Sequence, residues 1–150
     1  MNTEQPTHLL TDQTRRDVPA WNHWRTKNPD TRIDLSKRIL TGADLSGADL
    51  HKVDLMQANL WNVNLTGADL SGADMWSADM TGANMTDTNR TDTYMTGANL
   101  SQVNLSGANL SGAILREANM SLADMSGAEW DDETVWPEGF TPPMPYRATT

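Results

Sequence analysis

A strict five-residue period constrains the fold of this chain more than any other feature. Leu or Met occupies 18 of the 20 positions between 35 and 130 that are divisible by five. Two positions earlier stands Ala in thirteen blocks and Val in three, and the residue between them is Asp or Asn in 16 blocks. Nine of the ten glycines follow the Leu or Met by two residues. Four columns in one phase indicate a repeat architecture.

The period of five fits neither an α-helix, with 3.6 residues per turn, nor the two-residue alternation of a strand. It fits a short extended piece with Ala and Leu pointing inward, followed by a turn in which glycine supplies the positive φ of a type II turn. If each block turns the chain by a quarter circle, four blocks close a square coil whose backbone pairs with the coils above and below. We therefore expect an all-β solenoid of about five coils over residues 31–130, a rod of roughly 24 Å.

The flanks of the repeats are expected to cover the open ends of the solenoid, which would otherwise invite stacking of one molecule on another. Residues 1–30 are predicted to form a tail and a short capping helix, with Asp17 as N-cap and Asn28-Pro29 as the stop. Tryptophans at helical spacing in this helix would cover the first coil. Residues 131–150 are predicted to form a second cap, in which Trp136 helps to close the last coil, followed by a tail.

The repeats resemble the pentapeptide-repeat family, whose pattern is A(D/N)LXX. GADLSGADL at 42–50, TGADL at 66–70 and LSGANLSGA at 105–113 match it closely. The segments AWNHWR at 20–25 and TVWPEGF at 134–140 resemble those that border the repeats in cyanobacterial members. The resemblance implies a right-handed quadrilateral β-helix.

Charge and composition exclude several classes of partner. The net charge is −9, and residues 31–130 carry twelve acidic against six basic side chains, which argues against direct binding of nucleic acid or an anionic membrane. The chain has no cysteine, so disulfides and thiolate metal sites are excluded. No apolar run approaches the ~20 residues of a membrane span, and the N-terminus lacks a signal-peptide pattern. A cytoplasmic protein is the expectation.

One stretch, TDTNRTDTY at 86–94, breaks the inward columns. Arg90 stands where Leu or Met is the rule, Thr88 and Thr93 replace Ala, and Asp87 and Asp92 replace Gly. An unpaired buried guanidinium would cost several kcal/mol, so either the local backbone bulges or Arg90 finds acceptors. We therefore expect a distorted segment in which Arg90 turns outward toward Asp87 or Asp92. A functional notch is the alternative.

One side of the expected solenoid is apolar where outward positions should be polar. The outward residues on this side and at its next corner are Met56, Trp61, Trp76, Tyr94 and Ile114. A contiguous exposed apolar patch usually marks a partner surface. The alternative is that the C-terminal tail, with Met144 and Tyr146, folds back over it.

Nothing in the sequence assembles an active site. The recurring aspartates follow the repeat and are expected to be solvated, and the three histidines are scattered, so we expect no metal, cofactor or enzymatic activity. We expect a non-enzymatic scaffold, a monomer or weak dimer, that binds an unidentified protein. The alternative, which the family resemblance implies, is an acidic DNA mimic that binds DNA gyrase or topoisomerase. Such relatives carry Phe in many core positions and end in a dimerising segment, whereas this chain has no Phe in its core columns and a short cap is expected after its repeats.

Overall fold

The computed structural model describes residues 6–11 and 16–144. Within these residues, two helices, α1 (His8–Thr11) and α2 (Val18–Lys27), precede the repeats. From residue 34 onward the described chain forms single parallel β-bridges separated by two-residue turns rather than continuous strands. Bridge partners lie twenty residues apart, as in Asp34–Asp54 and Asp54–Asp74. Four five-residue blocks therefore make one coil, and the repeat unit is the extended piece and turn that the period predicts.

Each block makes the same set of backbone hydrogen bonds, which the Leu45 block illustrates. Its turn is closed by the N–H of Ala48 donating to the carbonyl of Leu45 at 3.1 Å, with Gly47 at φ +66°. The N–H groups of Leu45 and Gly47 donate to the carbonyls of Asn64 and Thr66 in the next coil, at 2.8 and 2.9 Å. Inter-coil bonds thus satisfy the main-chain groups that such short extended pieces would otherwise leave unpaired.

The Ala and Leu columns form one continuous core from Ile33 to Ala128. Residues that follow one another at twenty-residue spacing are fully buried together, as in the series Leu45, Leu65, Met85 and Leu105. Burial weakens near the end of the repeats, where Met120 and Met125 are each 7% exposed, and Arg38, in the Ala column of the first coil, is exposed. The interior is therefore packed along most of the repeats.

The α2 helix covers the first coil at the position that the sequence predicts. The Asp17 side chain accepts a hydrogen bond from the N–H of Ala20 at 2.9 Å, and the helix ends before Asn28. Trp21 is fully buried, and its indole N–H donates to the carbonyl of Asp49 at 2.8 Å. The α1 helix was not expected, and it adds the buried Leu10 to this cap.

A buried arginine, which the sequence pattern does not single out, fastens α2 to the first coil. Arg25 is 1% exposed, and its Nη1 and Nη2 atoms donate to the carbonyls of Thr31 and His51 at 3.0 and 2.8 Å. Its Nε atom lies 3.7 Å from Oδ1 of Asp49, and that carboxylate also contacts Nδ1 of His51. The cap is thus held by an ion pair and hydrogen bonds as well as by apolar packing.

At the other end, the segment after the repeats continues the pairing and adds aromatic packing. Val135 forms a parallel bridge with Ile114. The rings of Trp130 and Trp136 meet edge to face at 5.5 Å, and those of Trp136 and Phe140 stack at 5.4 Å. All three aromatic side chains pack against the core while remaining partly exposed.

The expected distortion at 86–94 is absent, and that prediction is wrong. Asn89 keeps its bridges to Asp69 and Asn109. Asp87 and Asp92 adopt φ values of 54° and 57°, the conformation that glycine takes in other turns. Aspartate tolerates this left-handed region better than most residues, so the turns keep their shape without glycine.

The prediction that Arg90 turns outward is also wrong. The side chain is 0% exposed and points into the core. Its Nε atom donates to Oγ1 of Thr88 at 2.9 Å, Nη2 lies 3.5 Å from the carbonyl of Met85, and Nη1 has no hydrogen-bond partner among the described residues. Regular backbone pairing on both sides fixes every fifth side chain inward, and Thr88 supplies the acceptor that Ala lacks. Burial lowers the pKa of Arg90 to about 9.

Candidate functional site

The outer surface follows a polar rule that explains why its exceptions matter. In most blocks Ser or Thr follows the core Leu or Met, and Asp or Asn precedes it. The Asp or Asn side chain accepts a hydrogen bond from the backbone N–H two residues later, and often from the hydroxyl as well. Thr81, for example, donates to Oδ1 of Asp79 through both groups, at 3.1 and 2.6 Å. Each block thereby stabilises its own turn.

This rule fails on the side formed by the bridge column Asp34, Asp54, Asp74, Tyr94 and Ile114. Met56 and Trp76 occupy hydroxyl positions in successive coils, and the N–H of Gln57 donates to the carbonyl of Trp76 at 2.8 Å. Tyr94 occupies an Asp/Asn position and is bridged to Asp74. Two columns of outward residues therefore bring side chains from three coils together.

These side chains line a shallow groove of about 370 Å³, which we call the Trp76 groove. Its lining residues are Met56, Asp74, Trp76, Tyr94 and Thr96. Trp76 is 42% exposed and Tyr94 is 51% exposed, whereas Met56 and Asp74 are half-buried. Their rings are not among the aromatic contacts of the described residues. The groove is therefore an open apolar surface with one carboxylate in its wall.

The five residues predicted from sequence do not all meet in this groove. Met56, Trp76 and Tyr94 line it together. Ile114 is half-buried one coil beyond Tyr94, with which it is paired. Trp61 is 48% exposed in the following block, around the corner, and does not line the groove.

Two lining residues were not predicted from the sequence. Asp74 had been grouped with the solvated aspartates of the repeat, and Thr96 obeys the polar rule. The signal that singles out Asp74 is its own block, in which Trp76 takes the place of the hydroxyl donor.

Grooves larger than the Trp76 groove lie where the described terminal segments meet the repeats. One, of about 650 Å³, lies between α2 and the first coil and includes Val18 and Asp44. Two more, of about 690 and 400 Å³, lie at the C-terminal end; Phe140 lines both, and Met144 lines the larger. Met144 is 94% exposed there and does not cover the Trp76 groove, so that part of the tail prediction is wrong. Tyr146, the other residue in that prediction, lies outside the described residues.

No cluster of three or more His, Asp or Glu within residues 6–11 and 16–144 is arranged to hold a metal ion. Hydrogen bonds from Ser36 and Ser126 lower the pKa values of Asp34 and Asp124, each in its own turn. Neither helix of the described chain has the length and apolar character needed to cross a membrane.

This fold and groove define a class of protein, a β-helix-type repeat protein. Apolar residues that follow the five-residue pattern form its core, and apolar residues at outward positions, such as Trp76, lie on its surface. The family model for pentapeptide repeats matches in 8 copies, at residues 31–60, 53–87 and 93–129. The chain belongs to the pentapeptide-repeat family.

Solved structures of the family are similar to this chain to different degrees. The pentapeptide repeat protein Rfr23 from the cyanobacterium Cyanothece 51142 is 25% identical with a TM-score of 0.69, over 77% of this chain and 97% of that one. The protein alr5209 from Nostoc PCC 7120 is 31% identical with a TM-score of 0.43, over 83% and 88% of the two chains. A pentapeptide repeat protein of the Arabidopsis thaliana thylakoid lumen is 31% identical with a TM-score of 0.45, over 67% and 63%. No curated protein sequence matches this chain.

Proposed function

We propose that this protein is a non-enzymatic scaffold that binds another protein through the side bearing the Trp76 groove. The observation that supports this is the meeting of Met56, Trp76 and Tyr94 in one open groove, although they stand in different repeats. Exposed aromatic residues grouped in a concave surface are typical of the centres of protein interfaces. Ile114 and Trp61 would lie at the rim of the same interface.

The scaffold that presents this side is proposed to be a right-handed solenoid of about five square coils over 31–130. The twenty-residue register supports the coil count, and the strong preference for right-handed connections between parallel β segments supports the hand. We propose the cytoplasm as its location, and a monomer or weak dimer as its oligomeric state.

The test is affinity capture from a lysate of the source organism with a Trp76→Ser, Tyr94→Ser double variant. The expected result is that proteins retained by the wild type are lost from the double variant. Leu122→Ser is the matched control, because Leu122 is an exposed apolar side chain (84%) outside the groove. Equal capture by all three proteins, each with an unchanged circular-dichroism spectrum, would refute the proposal.

The acidic charge of −9 suits the alternative function, binding of DNA gyrase by mimicry of duplex DNA. The outward columns disfavour it, because neutral Asn interrupts the charges, as at Asn64, Asn84 and Asn104 in one column. A gyrase supercoiling assay with the wild type separates the two functions. Mimicry would be favoured if the protein inhibits gyrase, or protects it from inhibitors, and the Trp76→Ser, Tyr94→Ser variant does so equally.

A further inference from the structure

We infer that the Trp76 groove binds the guanidinium group of an arginine side chain presented by the partner protein. This inference rests on the proposed function of the groove as a protein-binding surface, and it specifies the chemistry of the partner. It is carried by Asp74, by the two aromatic rings beside it, and by the charge of the side on which they lie.

Asp74 differs from the other aspartates of its repeat column. The eight aspartates in this column are Asp34, Asp44, Asp49, Asp54, Asp69, Asp74, Asp79 and Asp124. Seven of them contact a polar side chain through hydrogen bonds: a hydroxyl, an amide, a histidine ring or an arginine. Asp74 accepts a hydrogen bond from the backbone N–H of Trp76 at 3.1 Å, and no side chain among the described residues donates to it. A half-buried carboxylate thus keeps acceptor capacity free beside the groove.

The cause of this difference lies in the residues that form the groove. Trp76 replaces the Ser or Thr whose hydroxyl would bond Asp74. Met56 makes the same replacement beside Asp54, but there Nη2 of Arg32 lies 3.3 Å from Oδ2 of Asp54 and supplies the missing donor. Asp74 has no cation within 4.0 Å among the described residues. The substitutions that create the apolar surface therefore also leave one carboxylate without a partner.

The geometry around Asp74 suits a flat cation. Trp76 belongs to the same block, and Tyr94 is paired with Asp74 one coil further on. Both rings are about half exposed and offer faces on which a guanidinium can stack, while its N–H fork can reach the carboxylate. Lysine lacks the flat fork, and a neutral side chain would leave the carboxylate unpaired. A volume of about 370 Å³ lies at the low end for ligand pockets and suits the end of one side chain.

Charge on the rest of this side favours the same partner. Asp34 and Asp54 precede Asp74 in the column at roughly 4.8 Å spacing, and Arg32, which contacts Asp54, offsets part of their charge but does not contact Asp74. A basic protein segment would be attracted along this column, whereas the phosphates of a nucleic acid would be repelled. The groove therefore has complementary charge for a basic protein segment with arginine as the anchor.

The direct test uses acetyl-arginine-amide as the probe and acetyl-citrulline-amide as its neutral counterpart. Binding is followed through the indole N–H signal of Trp76 in two-dimensional NMR spectra, assigned with Trp76→Phe. We expect a saturable shift with the arginine probe, with a dissociation constant on the order of millimolar. Citrulline is expected to cause no comparable shift, and the indole signal of Trp61 should not respond.

Variants of the carboxylates make the test specific. Asp74→Asn should weaken binding of the arginine probe several-fold, whereas Asp79→Asn should leave it unchanged, because Asp79 is already bonded by Thr81 around the next corner. Any one of three results would overturn the inference. They are equal binding of the citrulline probe, an unchanged affinity of Asp74→Asn for the arginine probe, and no shift of the Trp76 signal at probe concentrations well above the millimolar range.

The two proposals can fail separately. If protein capture depends on Trp76 and Tyr94 but is unaffected by Asp74→Asn, the interface stands and arginine recognition is overturned. If the arginine probe binds but no captured protein depends on the groove, guanidinium recognition stands and the proposed scaffold function is overturned.

Discussion

Replacing Arg90 with Met is expected to stabilise the protein, because the guanidinium is a buried charge without a carboxylate partner among the described residues. Burial lowers the pKa of Arg90 from its ordinary value to about 9. The side chain therefore stays protonated at pH 7, and the burial penalty is present in full below about pH 9. At about 1.4 kcal/mol per pH unit, that lowering corresponds to about 5 kcal/mol of destabilisation.

The hydrogen bonds of the Arg90 side chain, which Met cannot make, offset part of this gain. The bond from Nε of Arg90 to Thr88 is worth about 1.5–3 kcal/mol, and the 3.5 Å approach of Nη2 to Met85 adds little. The Thr88 hydroxyl still donates to the carbonyl of Met85 at 2.7 Å, so no polar atom is left without a partner by the substitution. Met already fills this kind of position elsewhere in the core. The expected net gain is about 2–3.5 kcal/mol, or about 4–14 °C in Tm.

Urea unfolding at pH 7, followed by far-UV circular dichroism and tryptophan fluorescence, measures this difference. Arg116→Met is the control, because Arg116 is exposed and its replacement should change stability by no more than about 0.5 kcal/mol. An Arg90→Met midpoint at or below that of the wild type, with a neutral control, would show that the guanidinium is not desolvated in the folded protein.

Three further predictions concern the turns and the C-terminal cap. Leu122 has φ +59° and is 84% exposed, so Leu122→Gly should raise stability by about 0.5–1 kcal/mol in urea unfolding, whereas Leu122→Ala, which keeps the strain, should not. Gly112→Ala should lower the urea midpoint more than Gly67→Ala, because its new Cβ would overlap Oδ1 of Asp92 whereas the Cβ at Gly67 meets open space. Hydrogen bonds, first of all from the N–H of Gly112, lower the pKa of the Asp131 carboxyl below 3.8. The ionised carboxylate therefore contributes to folding stability above about pH 4, and this contribution is lost as the pH falls through the lowered pKa. Asp131→Asn should therefore increase amide exchange at Gly112 at pH 7 and make that exchange less sensitive to acid.

Much of the fold was predictable because one rule applies in every block. The period places Leu45, Leu65 and Met85 in the same environment, and their burial follows from the column they occupy. The α2 helix was predictable for a different reason, since Asp17 and Asn28 signal its ends locally. Arg90 was mispredicted because the cost of a buried charge was weighed above the backbone, whose pairing on both sides leaves the side chain no outward path.

The parts that escaped prediction depend on contacts between distant positions. The side chain of Arg25 is buried only because α2 lies across the first coil, where Thr31 and His51 offer carbonyls. No local pattern encodes that placement. Asp74 is similar in part. Trp76 marks its block in the sequence, but Met56 marks the block of Asp54 in the same way, and only the contacts in space show that Arg32 bonds Asp54 while no described side chain bonds Asp74.

The two kinds of departure from the repeat have opposite physical meanings. Arg90 departs inward, where its Nη1 atom has no hydrogen-bond partner among the described residues, and we expect it to lower stability. Trp76 departs outward, leaves the core unchanged, and removes the hydroxyl that would satisfy Asp74. Trp76→Ser should therefore keep or slightly raise the urea midpoint, because a serine at this position bonds its aspartate in equivalent blocks, as Ser36 bonds Asp34 at 2.6 Å. If stability is unchanged while binding to the groove is lost, Trp76 serves recognition; a large loss of stability would instead make it a packing residue, and the groove would lose its proposed role in binding.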